Sequence, residues 1–433
     1  MCLRNGKTVV IGIVLFYLLS FNGLWRIGPE SGLYLSVGRS IARGEGCSYQ
    51  GIAYVLPYSG LPYLLAGAMR VSQRHAVAIV DAAMLLMGLA SIYLAWELCR
   101  RITRPGTAIV ATVLLAANFN LYERCFEILP DIPLLLGSVM ILLGGVMSGA
   151  IPVPRLDELA HRTSARGRWV GVLILSVGLV ICALFGPMIL ALAACLSSVG
   201  LISAMAQRRW RSVRMLTALV GAVGGVYLLV RLSDSLQYGV SFTLLSGVTQ
   251  GAQLLLQFGL PRHYMVPLLP ILVLVWWETL SRLNVRLGRD GGNLVATIMF
   301  VLLIPGAVRC VSEVWYDQYR LPFAEHYHEG QWAAIVEAGR LIRASTPPEA
   351  VAIAPPGTDS VLTFLADRWA IPVSEPVPER MRSHQAYVLV ERHSSDAPIW
   401  AQAREFALRE QIGQTDSISM LGDIYVLKKA EWK

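Results

Sequence analysis

Long apolar runs separated by short polar segments make up most of the chain as far as about residue 311. Each run has about the length of a membrane-spanning helix, which needs roughly 20 predominantly apolar residues. The pattern predicts nine spans, at about 8–25, 76–98, 106–122, 132–150, 169–185, 187–206, 213–231, 264–281 and 294–311. The weaker apolar stretch at 240–260 contains glutamines and glycines, which favour an outer loop or an interfacial helix.

A polar-to-amphipathic segment, residues 28–71, lies between the first two runs. Its apolar side chains recur at three- and four-residue steps, at Leu33, Tyr34, Val37 and Ile41. This spacing predicts a helix that lies along the membrane surface. Glu30 stands at the start of that helix, where the helix dipole favours an ionised carboxylate. Glu30 is therefore either a catalytic base or a charge that stabilises the helix N-terminus.

From about residue 312 the composition becomes that of a soluble domain. Helices are predicted at 331–344, 358–368 and 398–411, and strands at 350–354, 386–391 and 423–427. Alternating helices and strands indicate a small α/β domain. The predicted fold class is an all-α polytopic membrane protein, residues 1–311 with an outer loop at 26–75, followed by a small C-terminal extracytoplasmic α/β domain, residues 312–433.

The composition supports a membrane protein, since 55% of the residues are hydrophobic, 15% are charged and the mean hydropathy is +0.54. Arginines cluster in alternate connections, at 100–104, 155–168, 208–214 and 282–289. By the positive-inside rule these connections and the N-terminus are cytoplasmic. The net charge of +8 thus reflects topology rather than a nucleic-acid partner. We expect a protein of the cytoplasmic membrane whose residues after 311 lie outside.

The cysteines and histidines give no firm metal site. The seven cysteines show no CxxC or Cys/His spacing, so a zinc site has little support. Cys47 and Cys125 both fall on the predicted outer side, which leaves a disulfide between them open. His326 and His328 could form a metal pair, but surface histidines explain them more simply. No cofactor is therefore predicted, and a divalent metal has no support from the sequence.

Two further outer segments carry candidate chemistry. Asp131 follows Pro130 at the entrance of the fourth run, close to Arg124. It is either a functional acid, since charges at membrane depth are costly, or the cap of that span. Arg262 and His263 precede the eighth run, where the guanidinium could hold a phosphate or anchor the span at the interface.

In layout, these segments resemble the GT-C superfamily of membrane glycosyltransferases, in particular bacterial proteins similar to dolichyl-phosphate-mannose protein mannosyltransferases and lipid A aminoarabinose transferase. The resemblance rests on short motifs that occur in the same order as in that family. They are Glu30-Ser31-Gly32 with Tyr34, Ile41-Ala42-Arg43-Gly44, Leu61-Pro62, Pro130-Asp131 and Arg262-His263-Tyr264.

The resemblance implies a polyprenyl-phosphate-linked sugar donor and a lipid, glycan or protein acceptor, with membrane lipids around the protein. It implies that Glu30 is the catalytic base and that Asp131 is a second catalytic acid. It implies that Arg262, His263 and Arg124 contact the donor phosphate. Tyr34, Tyr58 and Tyr264 are expected to line the substrate cavity. The sugar carbon would be inverted by direct displacement.

The chain also departs from the family pattern. Relatives commonly have a lysine before the Gly-Pro that follows the fifth span, and this chain has Phe185. Residues 57–60, ahead of the second span, also lack the cation that is common there. Arg262, His263, Arg124 or Arg74 could replace these lysines, or the protein could have a different donor or little activity. The alternatives from other classes are a polytopic transporter and a non-catalytic scaffold that presents the C-terminal domain.

Overall fold

The computed structural model describes residues 2–23, 25–53, 60–102, 105–149, 165–185, 308, 310–312, 331–355, 357–372, 386–391, 417–421 and 424–429. The chain divides into two compact units. The first unit comprises Met1–Gly23, Val55–Leu61 and Ile79–Tyr319. The second unit comprises Leu24–Tyr54, Pro62–Ala78 and Arg320–Lys433. The second unit therefore combines most of the segment between the first two apolar runs with the C-terminal residues.

Helices dominate the described part of the chain. In chain order they are α1 (Cys2–Leu19), α2 (Pro29–Ala42), α3 (Gly60–Val71), α4 (Ala76–Ile102), α5 (Pro105–Ala116), α6 (Phe119–Arg124), α7 (Asp131–Ser148), α8 (Ala165–Phe185), α9 (Gln331–Ser345) and α10 (Asp359–Ala366). Among the described residues, α4 and α7 are long and apolar enough to cross a membrane. They confirm helices at the predicted spans 76–98 and 132–150. The predicted spans 187–206, 213–231 and 264–281, and nearly all of 294–311, lie outside the described residues.

Two predicted spans differ from the observed helices. The run at 8–25 forms a helix only as far as Leu19, and Gly23 then adopts a left-handed φ of +67°. The run at 106–122 is two helices, α5 and α6, rather than one. The break has a local cause, because the Asn118 side chain caps α6 by accepting the backbone N–H of Leu121 at 3.2 Å.

Glycines bring α7 and α8 into close contact in the first unit. A Cβ atom added to Gly144 would lie 2.5 Å from the backbone nitrogen of Leu175. One added to Gly178 would lie 2.8 Å from the carbonyl oxygen of Gly137. Small residues of this kind allow helix backbones to approach each other, as in membrane helix pairs.

A five-stranded mixed sheet lies in the second unit. Its strands are β3 (Val351–Ala354), β4 (Trp369–Pro372), β5 (Ala386–Glu391), β6 (Ser417–Leu421) and β7 (Ile424–Lys429), in the order β4-β3-β5-β7-β6. Strand β3 is parallel to both of its neighbours, whereas β7 is antiparallel to β5 and β6. All four residues of β3 are buried. The strands predicted at 350–354, 386–391 and 423–427 are thus confirmed, and the helix predicted at 398–411 lies outside the described residues.

A short hairpin follows α2 in the same unit. Strands β1 (Ser48–Tyr49) and β2 (Ile52–Ala53) pair antiparallel through a two-residue turn. Both turn residues, Gln50 and Gly51, have positive φ, as the tight turns of β-hairpins require. The Gln50 amide donates a hydrogen bond to the Ala370 carbonyl, which attaches the hairpin to β4.

Helix α2 packs between α3 and α10. The predicted helix is confirmed, and its apolar residues Tyr34, Leu35, Val37 and Ile41 are buried. They pack against protein, and the position of the helix along the membrane surface stays a prediction. Close approach at two glycines explains this burial. A Cβ at Gly32 would meet the Val361 backbone at 2.7 Å, and one at Gly38 would meet the Leu65 side chain at 2.7 Å.

Five of the described cysteines are buried and form no disulfide, at Cys47, Cys99, Cys125, Cys182 and Cys310. The disulfide that the sequence left open between Cys47 and Cys125 is therefore not formed. Burial as small apolar side chains accounts for these residues.

Candidate functional site

Glu30 lies in the first turn of α2 with an exposed side chain. The backbone on both sides of it is held by hydrogen bonds. The Ser360 hydroxyl donates to the Pro29 carbonyl at 2.6 Å, and the Ser31 hydroxyl donates to the Gly28 carbonyl at 2.8 Å. The indole N–H of Trp25 donates to the Ser31 oxygen at 2.9 Å. An accessible carboxylate on a fixed backbone is the geometry that a general base requires.

Two arginines of the α2 segment bind one carboxylate at the end of α10. Arg39 Nη1 lies 2.8 Å from Asp367 Oδ1, and Arg43 Nη2 lies 2.6 Å from Asp367 Oδ2. Arg39 also donates to the Phe364 carbonyl at 2.6 Å, and its guanidinium lies 4.2 Å from the centre of the Phe364 ring. These contacts join the C-terminal end of α2 to α10.

Burial and the neighbouring charges shift the pKa values of Arg39 and Asp367 in opposite directions. Burial lowers the pKa of Arg39, and Asp367 only partly compensates. Burial by itself would raise the pKa of Asp367, but the hydrogen bond from Arg43 and the charges of both arginines outweigh it. The pKa of Asp367 therefore lies below its ordinary value, and the carboxylate stays ionised.

In the first unit, Asp131 begins α7 and is 5% exposed. Arg124, the last residue of α6, places its Nε 3.6 Å from Asp131 Oδ2 and its Nη1 2.5 Å from Glu127 Oε2. One guanidinium thus faces two carboxylates. This arrangement leaves Arg124 with little spare positive charge for a phosphate.

Phe185 ends α8 and packs against a buried apolar cluster formed by Leu134, Ile141, Leu175, Leu179 and Cys182. It occupies the position at which the resembling family commonly has a lysine. The aromatic ring completes the apolar contact between α7 and α8, and it offers no positive charge. A donor phosphate would need its cations from elsewhere in the chain.

The remaining predicted site residues divide into two groups. Tyr34 is described and is 5% exposed within α2. Tyr58, Arg262, His263 and Tyr264 lie outside the described residues, as do His326 and His328. Glu30 and Asp131 belong to different compact units, so their shared site stays a prediction.

In the described part of the chain, no group of three or more His, Cys, Asp or Glu residues could hold a metal ion.

Asp81 is a candidate that the sequence reasoning missed. It lies in the apolar helix α4 and is 1% exposed. The signal was available in the sequence, because an acid within an apolar run of spanning length is costly and marks a functional candidate. Asp367 carried no such signal, because its arginine partners lie more than 300 positions earlier.

The fold of the chain is similar to that of ArnT, the lipid A aminoarabinose transferase, which has the GT-C fold. Two solved structures of ArnT from Cupriavidus metallidurans match the chain over nearly its whole length. The apo structure has a TM-score of 0.62 and 13% identity, covering 99% of this chain and 98% of that one. The structure bound to undecaprenyl phosphate has a TM-score of 0.61 and 14% identity, covering 98% and 97%. No family model matches the sequence, and no curated protein matches it significantly.

Proposed function

We propose that this chain is a membrane glycosyltransferase that moves a sugar from a polyprenyl phosphate to an acceptor at the outer face of the membrane. The observation that supports this most directly is the ArnT-like fold over 99% of the chain. One of the two similar ArnT structures is bound to undecaprenyl phosphate, which favours a lipid phosphate of this class as the carrier. The ordered motifs around Glu30, Asp131 and Arg262 support the same assignment from the sequence.

In the proposed reaction Glu30 is the general base. It accepts the proton of the acceptor hydroxyl or amine as that group attacks the anomeric carbon. The bond between this carbon and the phosphate oxygen breaks, and polyprenyl phosphate leaves with the electron pair. Phosphate is a good leaving group, so cationic stabilisation suffices and no strong acid is needed. Displacement from the opposite face inverts the anomeric carbon.

The other predicted residues have supporting roles in this proposal. Asp131, ion-paired with Arg124, orients the acceptor on the acidic side of the site. Arg262 and His263 contact the donor phosphate, and Arg124 contributes only by sharing its charge between phosphate and carboxylates. Tyr34, Tyr58 and Tyr264 shape the cavity for the sugar.

The proposed topology is that of a multi-pass protein of the cytoplasmic membrane. It has nine spans, a cytoplasmic N-terminus and a C-terminal α/β domain on the outer side. The arginine-rich connections at 100–104, 155–168, 208–214 and 282–289 support this orientation.

The test begins with the purified full-length protein and undecaprenyl phosphate. We expect this lipid to co-purify, as detected by mass spectrometry, and to raise the thermal unfolding temperature when it is added. We expect membranes that contain the protein to release undecaprenyl phosphate from an undecaprenyl-phosphate-linked pentose or hexose. A protein that neither binds the lipid nor consumes any such donor would contradict the proposal.

The role of Glu30 is tested separately with Glu30→Gln. Because the side chain is exposed, we expect this variant to fold and to bind undecaprenyl phosphate but to lose sugar transfer. Glu349→Gln, which alters another exposed acid of the second unit, is the matched control and should transfer normally. Unchanged turnover in Glu30→Gln would remove Glu30 as the base while leaving the glycosyltransferase class intact.

A further inference from the structure

A cavity of about 450 Å³ lies entirely within the second unit. Its walls come from α2, from the end of α3 and the turn after it, from the first residues of α4, and from α9 and α10. This volume falls in the range of about 300–1,000 Å³ that is typical of sites for small ligands.

Positive charge dominates the polar part of the cavity. Arg39, Arg74 and Arg343 line it together with Gln73, and none of its nine lining residues is acidic. Among the described residues, no ion pair links Arg74 or Arg343 to a carboxylate. Asp367 already serves both Arg39 and Arg43. The cavity therefore holds excess positive charge that an anion would complement.

The arginines of the cavity repel one another, which agrees with an excess of positive charge there. Burial is the main cause that lowers the pKa of Arg39, and the nearby charge of Arg343 adds to it. An anion placed between the guanidiniums would relieve this repulsion. Guanidinium groups also present several N–H donors in a planar fork, which suits the oxygens of a phosphate.

The rest of the cavity wall is apolar. It is formed by Met69, Ala76, Val77, Phe364 and Leu365. Ala76 and Val77 are the first residues of α4, which is 27 residues long and apolar enough to cross a membrane. The entrance of a membrane span lies at the level of the lipid head groups, where phosphates are concentrated.

From this juxtaposition of guanidiniums, apolar wall and span entrance, we infer that the cavity binds the phosphate head group of an anionic phospholipid. The arginines hold the phosphate, and the apolar wall contacts the glycerol and the start of the acyl chains. The site lies apart from the sugar-transfer chemistry assigned to Glu30, and it does not depend on that chemistry.

The test uses the full-length protein in detergent and the soluble short-chain lipid dioctanoyl phosphatidylglycerol. Native mass spectrometry and an equilibrium titration would measure how many molecules bind and how tightly. The zwitterionic dioctanoyl phosphatidylcholine and inorganic phosphate are the comparison ligands. We expect the anionic lipid to bind at least about tenfold more tightly than either, because only it offers both a net negative charge and apolar chains.

Variants at the two exposed arginines test the location of the site. An ion pair at an exposed arginine contributes up to about 1 kcal/mol, which is about a fivefold change in affinity. The double variant Arg74→Gln/Arg343→Gln should therefore weaken phosphatidylglycerol binding about 25-fold, whereas Arg74→Lys/Arg343→Lys should retain most of it. Arg340→Gln is the matched control, because Arg340 lies on the same helix, is exposed, and pairs with Glu337 away from the cavity.

Each result of these binding measurements either supports or overturns the proposed lipid site. Loss of binding in the glutamine double variant, with Arg340→Gln and Glu30→Gln unchanged, supports the site. Equal binding of inorganic phosphate and phosphatidylglycerol would overturn the assignment to a lipid. Unchanged binding in the double variant would overturn the location. Glu30→Gln separates this inference from the proposed sugar transfer, because that variant should lose transfer and keep the lipid.

Discussion

The guanidinium of Arg39 and the carboxylate of Asp367 lie 2.8 Å apart, although 328 positions separate them along the chain. Arg39 lies in the last turn of α2, and Asp367 directly follows α10 with a left-handed φ of +54°. Both side chains are largely shielded from water, at 14% and 19% exposed. The helix that carries Glu30 is thus fastened to the C-terminal residues by a pair that solvent screens only weakly.

Asp367→Asn should destabilise the second unit. Asparagine tolerates the left-handed backbone at this position, so the change removes charge without adding strain. It leaves the buried Arg39 without its counter-charge, and we expect a loss of about 1–3 kcal/mol, between the values for exposed and buried pairs. Thermal unfolding of the purified protein and hydrogen exchange of α2 would measure the loss. Glu337→Gln breaks an exposed pair with Arg340 and should change stability by less than about 0.5 kcal/mol.

The same pair predicts how stability depends on pH. The pKa of Asp367 is lower in the folded protein than its ordinary value of 3.8. Its contribution to stability is therefore complete above that ordinary value and is lost as the pH falls through the folded pKa. We expect the unfolding temperature of the native protein to fall below about pH 4 more steeply than that of Asp367→Asn. Parallel pH profiles for the two proteins would contradict the ion-pair account.

Gly32→Ala should weaken the packing of α2 on α10. An added methyl group would lie 2.7 Å from the Val361 backbone nitrogen, which cannot move as a flexible side chain can. Overpacking of this kind typically costs about 1–3 kcal/mol, although alanine gains about 1 kcal/mol in helix propensity. Gly67→Ala in α3 is the control, because no atom lies within 4 Å of the added carbon. Equal stability of the two variants would show that α2 does not approach α10 this closely.

Gly144→Ala tests the contact between α7 and α8 in the first unit. The new carbon would lie 2.5 Å from the Leu175 nitrogen and 2.6 Å from the Gly171 carbonyl oxygen. We expect the helices to separate and the unfolding temperature in detergent to fall. Gly12→Ala in α1, which has open space around it, should leave that temperature unchanged or slightly higher. A stable Gly144→Ala protein would contradict the close helix contact.

Asp131→Asn should impair sugar transfer, if Asp131 orients the acceptor as proposed. We expect turnover to fall about 100-fold, the lower range for a positioned acid–base group, with binding of undecaprenyl phosphate unchanged. Glu127→Gln removes the other carboxylate that faces Arg124 and should affect turnover much less. Equal effects of the two substitutions would indicate that the ion-pair cluster acts only in folding.

Local patterns in the sequence predicted the helices and strands better than they predicted which distant residues those helices and strands contact. The three- and four-residue spacing in 31–41 predicted α2, and the β-rich run at 386–391 matches β5 at both ends. These signals depend on neighbouring residues, which the sequence displays directly. The break at Asn118 was missed because a side-chain cap interrupts an otherwise continuous apolar run.

The environment of the candidate site was harder to predict for a physical reason. The burial of the α2 stripe against α10 depends on glycines that meet a distant backbone, and no local period reports such a contact. The pairing of Arg39 and Arg43 with Asp367 is equally non-local. Glu30 itself was recognisable, but one of the hydrogen bonds that hold its neighbours comes from Ser360, far along the chain.

The hydrogen bond from Ser360 to Pro29 has a consequence for how the protein is made. The two residues are 331 positions apart, so a ribosome that adds about 5–20 residues per second finishes the second partner roughly 15–65 s after the first. During that interval α2 has α3 beside it but not α10. Until α10 is made, the side of α2 that packs against it stays uncovered, and the backbone beside Glu30 lacks the hydrogen bond that Ser360 later donates.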